Sequence, residues 1–451
     1  MNPVIVLLLL SFSLAVPVNT IVRTVVVTAP AQIVTVSQPA VAPTLTVGGE
    51  TSQTSEVTSD SSDPASSSST EPESIATAVL SSKSETGNFY YDTVFKLWQR
   101  FWIANQGKWN DDDTICNDGD FDLPVLWNMA VLGKAIANTN DVSGVKVTAE
   151  RIMDYRDADT GVFSASPNSP SEIYTDDNAQ LAWFFIDAYK LTNNQQYLNS
   201  AQDIMSFLQS QWGPNGGVIW KKDQNYIASI STVEAALTAV RLYEITNDNS
   251  LIDFANKCMD FMFKNLQDPS DNLFYDGTNK NDLTQIDKGK LTYTVGCAIS
   301  TLTSLHKFNN NDSDSLDKAL QLAKAATNTT GAFYTDDGLW NNNLEYVHLL
   351  FIGFLDAFQA SSKFDQFKDE VVRQGNYIYE YLQDPNDPAL YFESITQSNG
   401  PAYERFSKVF SAQNYTPQNS IFCSNDPSKP AKKSLLVNAS AGQILYAMAN
   451  F

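Results

Sequence analysis

From residue 88 onward, apolar residues recur every three or four positions, the spacing that gathers them on one face of an α-helix. Twelve such stretches predict helices near 89–106, 122–138, 145–158, 176–192, 194–211, 230–246, 249–266, 291–309, 313–329, 342–361, 365–385 and 435–450. No strand-rich block interrupts them. The links between them alternate in kind. After the even-numbered helices they are short and polar, as in ANTND, LTNN and ITNDN. After the odd-numbered ones they are longer and carry aromatic and acidic residues, as in KWNDDDTICNDGDF, WGPNGGVIWKKDQNY and GAFYTDDGLWNNN. Six antiparallel hairpins place alternate links at the same end of a bundle. The pattern therefore predicts an all-α fold, an (α/α)6 toroid of six helical hairpins with one plain end and one decorated face. Loops over a rigid repeat scaffold are where functional residues belong.

The first 87 residues are of a different kind. Residues 1–16 are almost wholly apolar, and small residues and Pro17 follow, so 1–19 predicts a signal peptide. The run is too short to span a bilayer comfortably, and no transmembrane helix is expected in the mature chain. Residues 20–87 include a stretch dominated by Ser, Thr, Asp, Glu and Pro that cannot bury enough surface to fold. They predict a disordered stalk before a single domain over 88–451. Export fits four cysteines and sequons at Asn311, Asn328, Asn414 and Asn438. The expected location is extracellular or attached to a cell wall. The 451-residue chain carries a net charge of -22, which excludes nucleic acid as a partner because like charges repel. A monomer is expected.

The sharpest chemical feature is Tyr174-Thr175-Asp176-Asp177-Asn178, at the start of a helix continuing AQLAWFFIDAYKLT. Glycosidic bond cleavage needs one carboxyl that gives a proton to the leaving oxygen and one carboxylate that attacks the anomeric carbon or activates water. Two close acids drive each other's pKa values apart, as that division requires. The same residues also suit a plain helix start, with Thr175 as cap and two acids in the first turn. A second copy, Tyr334-Thr335-Asp336-Asp337-Gly338, precedes the tenth helix.

These residues resemble those of the α-1,6-mannanase family, glycoside hydrolase family seventy-six, whose members are six-hairpin toroids. Asp176-Asp177 followed by Ala188-Tyr189 matches its adjacent aspartates before a helix ending in Ala-Tyr. Residues 216–246, GGVIWKKDQNYIASISTVEAALTAVRLYEIT, resemble its Gly-Gly-x-x-Trp block and Arg-Leu-Tyr. LTYTVGCAISTLTSL and LEYVHLLFIGFLDAF resemble later helices, so the likeness runs from about 88 to 451. The resemblance implies hydrolysis or transglycosylation on α-1,6-mannan with retention, Asp176 as nucleophile and Asp177 as acid/base. One departure is plain: the family has a Trp pair where this chain has Gln180 and Leu181. A related toroid acting on another glycan and a non-catalytic wall-associated glycan-binding protein are the alternatives.

Further candidates lie on the decorated face. Trp109, Trp220, Tyr226, Tyr293 and Trp340 offer flat rings for sugar C–H faces, and Asp122 and Asp337 offer oxygens for sugar hydroxyls. Tyr275, Asp223 and Asp276 are lesser candidates. Trp98, Trp102 and Trp127 read as core or cleft wall. Hydrolysis needs no cofactor, and no metal is expected: the acidic 110–122 loop lacks the calcium-loop template, and the two histidines, His306 and His348, sit in apolar helices. Closing a ring of hairpins joins the first to the last, which predicts a Cys116–Cys423 disulfide. Cys258 and Cys297 are expected either to pair or to remain buried thiols.

Overall fold

A computed structural model describes residues 89–451, except 118, 120, 310, 411–414 and 417. The expected signal peptide, the stalk and the sequon at Asn414 lie outside the described residues. The remainder is built from α1 (Phe89–Phe101), α2 (Leu126–Ala137), α3 (Val142–Ile152), α4 (Thr175–Thr192), α5 (Gln195–Ser210), α6 (Ser229–Thr246), α7 (Asn249–Asn265), α8 (Thr292–Phe308), α9 (Ser313–Ala326), α10 (Leu344–Ala360), α11 (Lys368–Tyr377), α12 (Gly400–Ser407) and α13 (Leu435–Ala449).

Six of these form an inner ring. α2 packs on α4, α4 on α6, α6 on α8, α8 on α10, α10 on α13, and α13 returns to α2. α1, α3, α5, α7 and α9 form the outer layer with α11, which continues as a π-turn, Ile378–Leu382. The inner helices are buried on nearly every face, while the outer ones keep a solvated stripe, and this difference sorts the two layers. Gly296 on α8 and Gly353 on α10 face each other so closely that a Cβ on either would strike the other helix's backbone.

The decorated links share a construction. Each opens with a small antiparallel hairpin after its outer helix: Trp102 pairs with Trp109, Arg156 with Phe163, Trp212 with Val218, Gln267 with Phe274, Tyr334 with Trp340 and Gln383 with Tyr391. The first of these, β1 (Trp102–Ile103) with β2 (Lys108–Trp109), ends α1 at Phe101, five residues earlier than expected. In two repeats an asparagine one turn into the next inner helix clamps the hairpin. Asn178 exchanges both hydrogen bonds with the Phe163 backbone, and Asn438 does so with Tyr391. Asn438 is therefore a core residue, 0% exposed, and its sequon cannot receive a sugar in the folded protein. Asn311 and Asn328 are exposed.

A three-stranded antiparallel sheet, not expected from the sequence, crosses the decorated face. It consists of β3 (Tyr226–Ala228), β4 (Gly277–Asn279) and β5 (Asp282–Asp287), with Tyr226 opposite Asn279 and Gly277 opposite Asp287.

The ring closes where the chain's last helix meets its first. α13 completes the inner ring and packs on α1. Cys116 and Cys423 are disulfide-bonded with Cα atoms 5.2 Å apart and a sequence separation of 307. Cross-linking so long a loop stabilises the fold by up to about 5 kcal/mol through the unfolded chain. Asp113 binds Arg100 at 2.8 Å and accepts the Lys433 backbone N–H at 2.9 Å, and the Lys433 ammonium is buried against Asp384. Cys258 and Cys297 are buried thiols.

Candidate active site

The inner helices begin at the decorated face, and five of them, α2, α4, α6, α8 and α10, frame a cleft of about 720 Å3 there. At its floor α4 begins. The residue before it, Tyr174, pairs with Lys221 of the next link, and the Thr175 N–H donates to the Trp220 carbonyl at 2.8 Å. Thr175 does not cap the helix with its side chain. Its hydroxyl donates to the Ile219 carbonyl at 2.6 Å. These bonds stitch the start of α4 to the segment carrying Trp220, and so bring the Trp220 indole to Asp176.

The environments of Asp176 and Asp177 differ. Asp176 accepts the Trp220 indole N–H at 2.9 Å and the Asp177 backbone N–H at 3.2 Å. The Asp177 carboxyl accepts no hydrogen bond from the described residues. Burial pushes Asp176 up to about 6, and the donors hold it from rising further. Burial and then the charge of Asp176 push Asp177 well above the usual carboxylate range. The two titrate as a pair. The asymmetry leaves an anion favoured on Asp176 and a proton favoured on Asp177, the division of labour that cleaving an acetal requires.

Two sets of aromatic rings line the cleft. Tyr174, Trp220 and Tyr226 form one, with centroids 5.1 and 6.4 Å apart. Tyr293, Tyr346 and Trp127 form the other, at 5.3 and 6.1 Å. Asp276 and Asp287 add carboxyls, and the Tyr226 hydroxyl donates to Asp276 at 2.6 Å. Glu172 lies at the rim, tied to Lys221 at 2.7 Å and to the Tyr174 hydroxyl at 2.9 Å.

The cleft thus gathers Asp176, Asp177, Trp220, Tyr226 and Tyr293 from the sequence candidates, with Asp276 from the lesser set and Trp127 as wall. Four of the expected substrate-binding residues lie elsewhere. Trp109, 1% exposed, packs edge-on against Trp98 and Trp102 beneath the first hairpin. Trp340, 6% exposed, donates to the Ala326 carbonyl at 3.1 Å and packs on Phe351 and Phe354. Both rings fill core left open by their short hairpins. Asp122 is exposed on a loop pinned through its own backbone to Asn110 and Asp111. Asp337 sits in a tight turn outside the cleft lining. Asp223 takes a left-handed turn position, and Tyr275 lies beneath Lys290.

Tyr346, Asp287, Gln180 and Glu234 were not among the sequence candidates. Two had a readable signal: Glu234 as a single acid inside the apolar run ISTVEAALTAV, and Gln180 as the departure from the family's Trp pair. His348 is buried in α10, and burial lowers it to about 4, so it is neutral. No cluster of three metal-binding side chains occurs among the described residues. Nor is any described helix long and apolar enough to cross a membrane.

Comparison with known proteins agrees with this geometry. The chain is 25% identical over 314 residues to the meiotically up-regulated gene 191 protein of Schizosaccharomyces pombe, covering 62% of this chain and 71% of that one. Its fold is similar to that of the family 76 α-mannanase BT2949 of Bacteroides thetaiotaomicron, with TM-score 0.64, 18% identity and coverage of 80% and 94% of the two chains. It is similar too to an inactive variant of an α-1,6-mannanase of Salegentibacter sp. HEL1_6, whose two consecutive aspartates are replaced by asparagine and which holds α-1,6-mannotriose. There the TM-score is 0.62, the identity 20% and the coverage 80% and 98%. Dfg5 of Chaetomium thermophilum, in complex with glucosamine, gives a TM-score of 0.58 at 13% identity, over 81% and 92% of the chains. The glycosyl hydrolase family 76 model matches residues 91–366, more than half of the chain, and the chain therefore belongs to that family as a glycoside hydrolase.

Proposed function

We propose that the protein cleaves or transfers α-1,6-linked mannose chains with retention of anomeric configuration. The observation that carries this reading is the unequal pair at the start of α4, with Asp176 held by the Trp220 N–H and Asp177 without a donor among the described residues. The Asp176 carboxylate attacks the anomeric carbon while Asp177 gives its proton to the departing oxygen. Asp177 then takes a proton from water or from a sugar hydroxyl, whose oxygen displaces Asp176. Retaining pairs stand about 5–5.5 Å apart and inverting pairs farther, to admit a water. Adjacent residues on one helical turn suit the closer arrangement. The α-1,6-mannanase of Salegentibacter, inactive without its consecutive aspartates, supports the substrate class.

Gln180 and Leu181, in place of the family's Trp pair, favour a second reading in which a related glycan replaces mannan. Secretion to the cell surface or wall is part of the proposal, supported by the apolar run at 1–16 and by a disulfide that needs an oxidising compartment. Incubation with α-1,6-linked manno-oligosaccharides, beside an Asp176→Asn control, tests the reading. Shortened or lengthened products absent from the control are expected. No products from folded wild-type protein would move the substrate to another glycan.

A further inference from the structure

Gln180 lies three residues after Asp177 and four after Asp176, one turn deeper along the same face of α4. It is 4% exposed, and that exposure opens on the cleft. Its amide nitrogen donates at 2.9 Å to Oε1 of Glu234, a fully buried acid on α6. Its amide oxygen accepts no hydrogen bond from the described residues. That oxygen is not among the fully buried atoms left without a partner, so it stands open to the cleft, where water or a ligand hydroxyl can meet it. Among the described residues the second oxygen of Glu234 has no partner either, so of these Gln180 is the one group this acid holds. Burial, with Asp176 and Asp177 nearby, raises the pKa of Glu234 well above the usual carboxylate range, which opposes a third charge beneath the cleft.

We infer that Gln180, fixed by Glu234, presents a carbonyl oxygen that accepts a hydrogen bond from one hydroxyl of the sugar bound over the aspartates, with Glu234 as its positioning residue. An aromatic side chain here would offer a flat apolar face and no acceptor. A polar reader selects differently, because a site built to bond a hydroxyl rejects the analogue that lacks it. The inference rests on the proposed action on α-1,6-mannose chains.

The test uses α-1,6-linked manno-oligosaccharides in which single ring hydroxyls are replaced in turn by hydrogen. The readout is the ratio of kcat/KM between parent and each deoxy analogue, which does not depend on the folded fraction of a variant. Wild type is expected to prefer the parent about tenfold at one hydroxyl on account of this bond. Gln180→Leu flattens the ratio at that hydroxyl alone, mainly through KM. Glu234→Leu flattens it too although Gln180 remains, and Glu234→Gln, which keeps an acceptor, restores it. Unchanged ratios in Gln180→Leu, or an equal loss toward every substrate, would overturn the inference. Failure of wild type to act on the parent sugar would instead count against the proposed substrate.

Discussion

The chain carries Tyr-Thr-Asp-Asp twice, and the fold puts the copies to different uses. At Tyr174 the backbone pairs outward, with Lys221 in the next hairpin. The helix then starts at once, and both aspartates fall in its first turn, with Trp220 donating to Asp176. At Tyr334 the backbone pairs with Trp340, within its own link. Thr335 and Gly338 close a tight turn, Asp336 is exposed, and α10 begins only at Leu344. The lesson is that the partner strand of the preceding residue decides the role. Where the segment is stitched to its neighbour, two acids share a cleft with a donor. Where it closes on itself, they decorate a turn.

Replacing the acids should separate the copies most strongly. Asp176→Asn and Asp177→Asn are each expected to lower kcat by at least about a thousandfold, within the range of acid/base and nucleophile losses. Asp336→Asn and Asp337→Asn should change it less than about twofold. Product release from α-1,6-manno-oligosaccharides measures both, and equal losses from the two copies would break the comparison.

A smaller effect tests the donor. Trp220→Phe keeps a ring but removes the N–H that favours the Asp176 anion. The pKa of Asp176, already pushed up to about 6, then rises further. Activity needs that anion, so the acid limb of the pH–rate profile should move to higher pH, with roughly a tenfold loss in kcat/KM below neutrality. An unmoved limb would show that Trp220 does not tune the pair. Trp340→Phe, in the other copy, should leave the profile unchanged and cost about 1 kcal/mol of stability in urea denaturation, from the lost bond to Ala326.

The smallest effect is structural. Gly338 turns the second copy back at φ +74°. Gly338→Ala should cost about 1 kcal/mol from the left-handed backbone, seen as a lower Tm with activity retained. The Asp177-to-Asn178 step, inside a helix, has no such requirement.

Much of this was legible in the sequence. The twelve toroid helices are present, because burial against neighbours on both sides writes a strong apolar pattern into each inner helix. The alternation of links identified the end at which the cleft lies, and ring closure identified Cys116–Cys423. The β content was not legible: a single bridged pair per link is too short to show a period of two. α12 lay hidden in the last link, started by Asn399 as cap and Pro401 in its first turn. The sorting of aromatic rings was also beyond the sequence. Trp109 and Trp340 are the second members of their bridged pairs, whereas Trp220 lies beyond its pair, where its carbonyl accepts from Thr175 at the start of α4. Glu234 and Gln180 became meaningful only when α4 and α6 were seen side by side.

The most direct test of the account is proton NMR of wild-type protein turning over an α-1,6-linked manno-oligosaccharide, following the anomeric signal of the first product. The account predicts an α-configured product that appears before mutarotation and is absent with Asp176→Asn. A β-configured first product, or the same product from the variant, would contradict it.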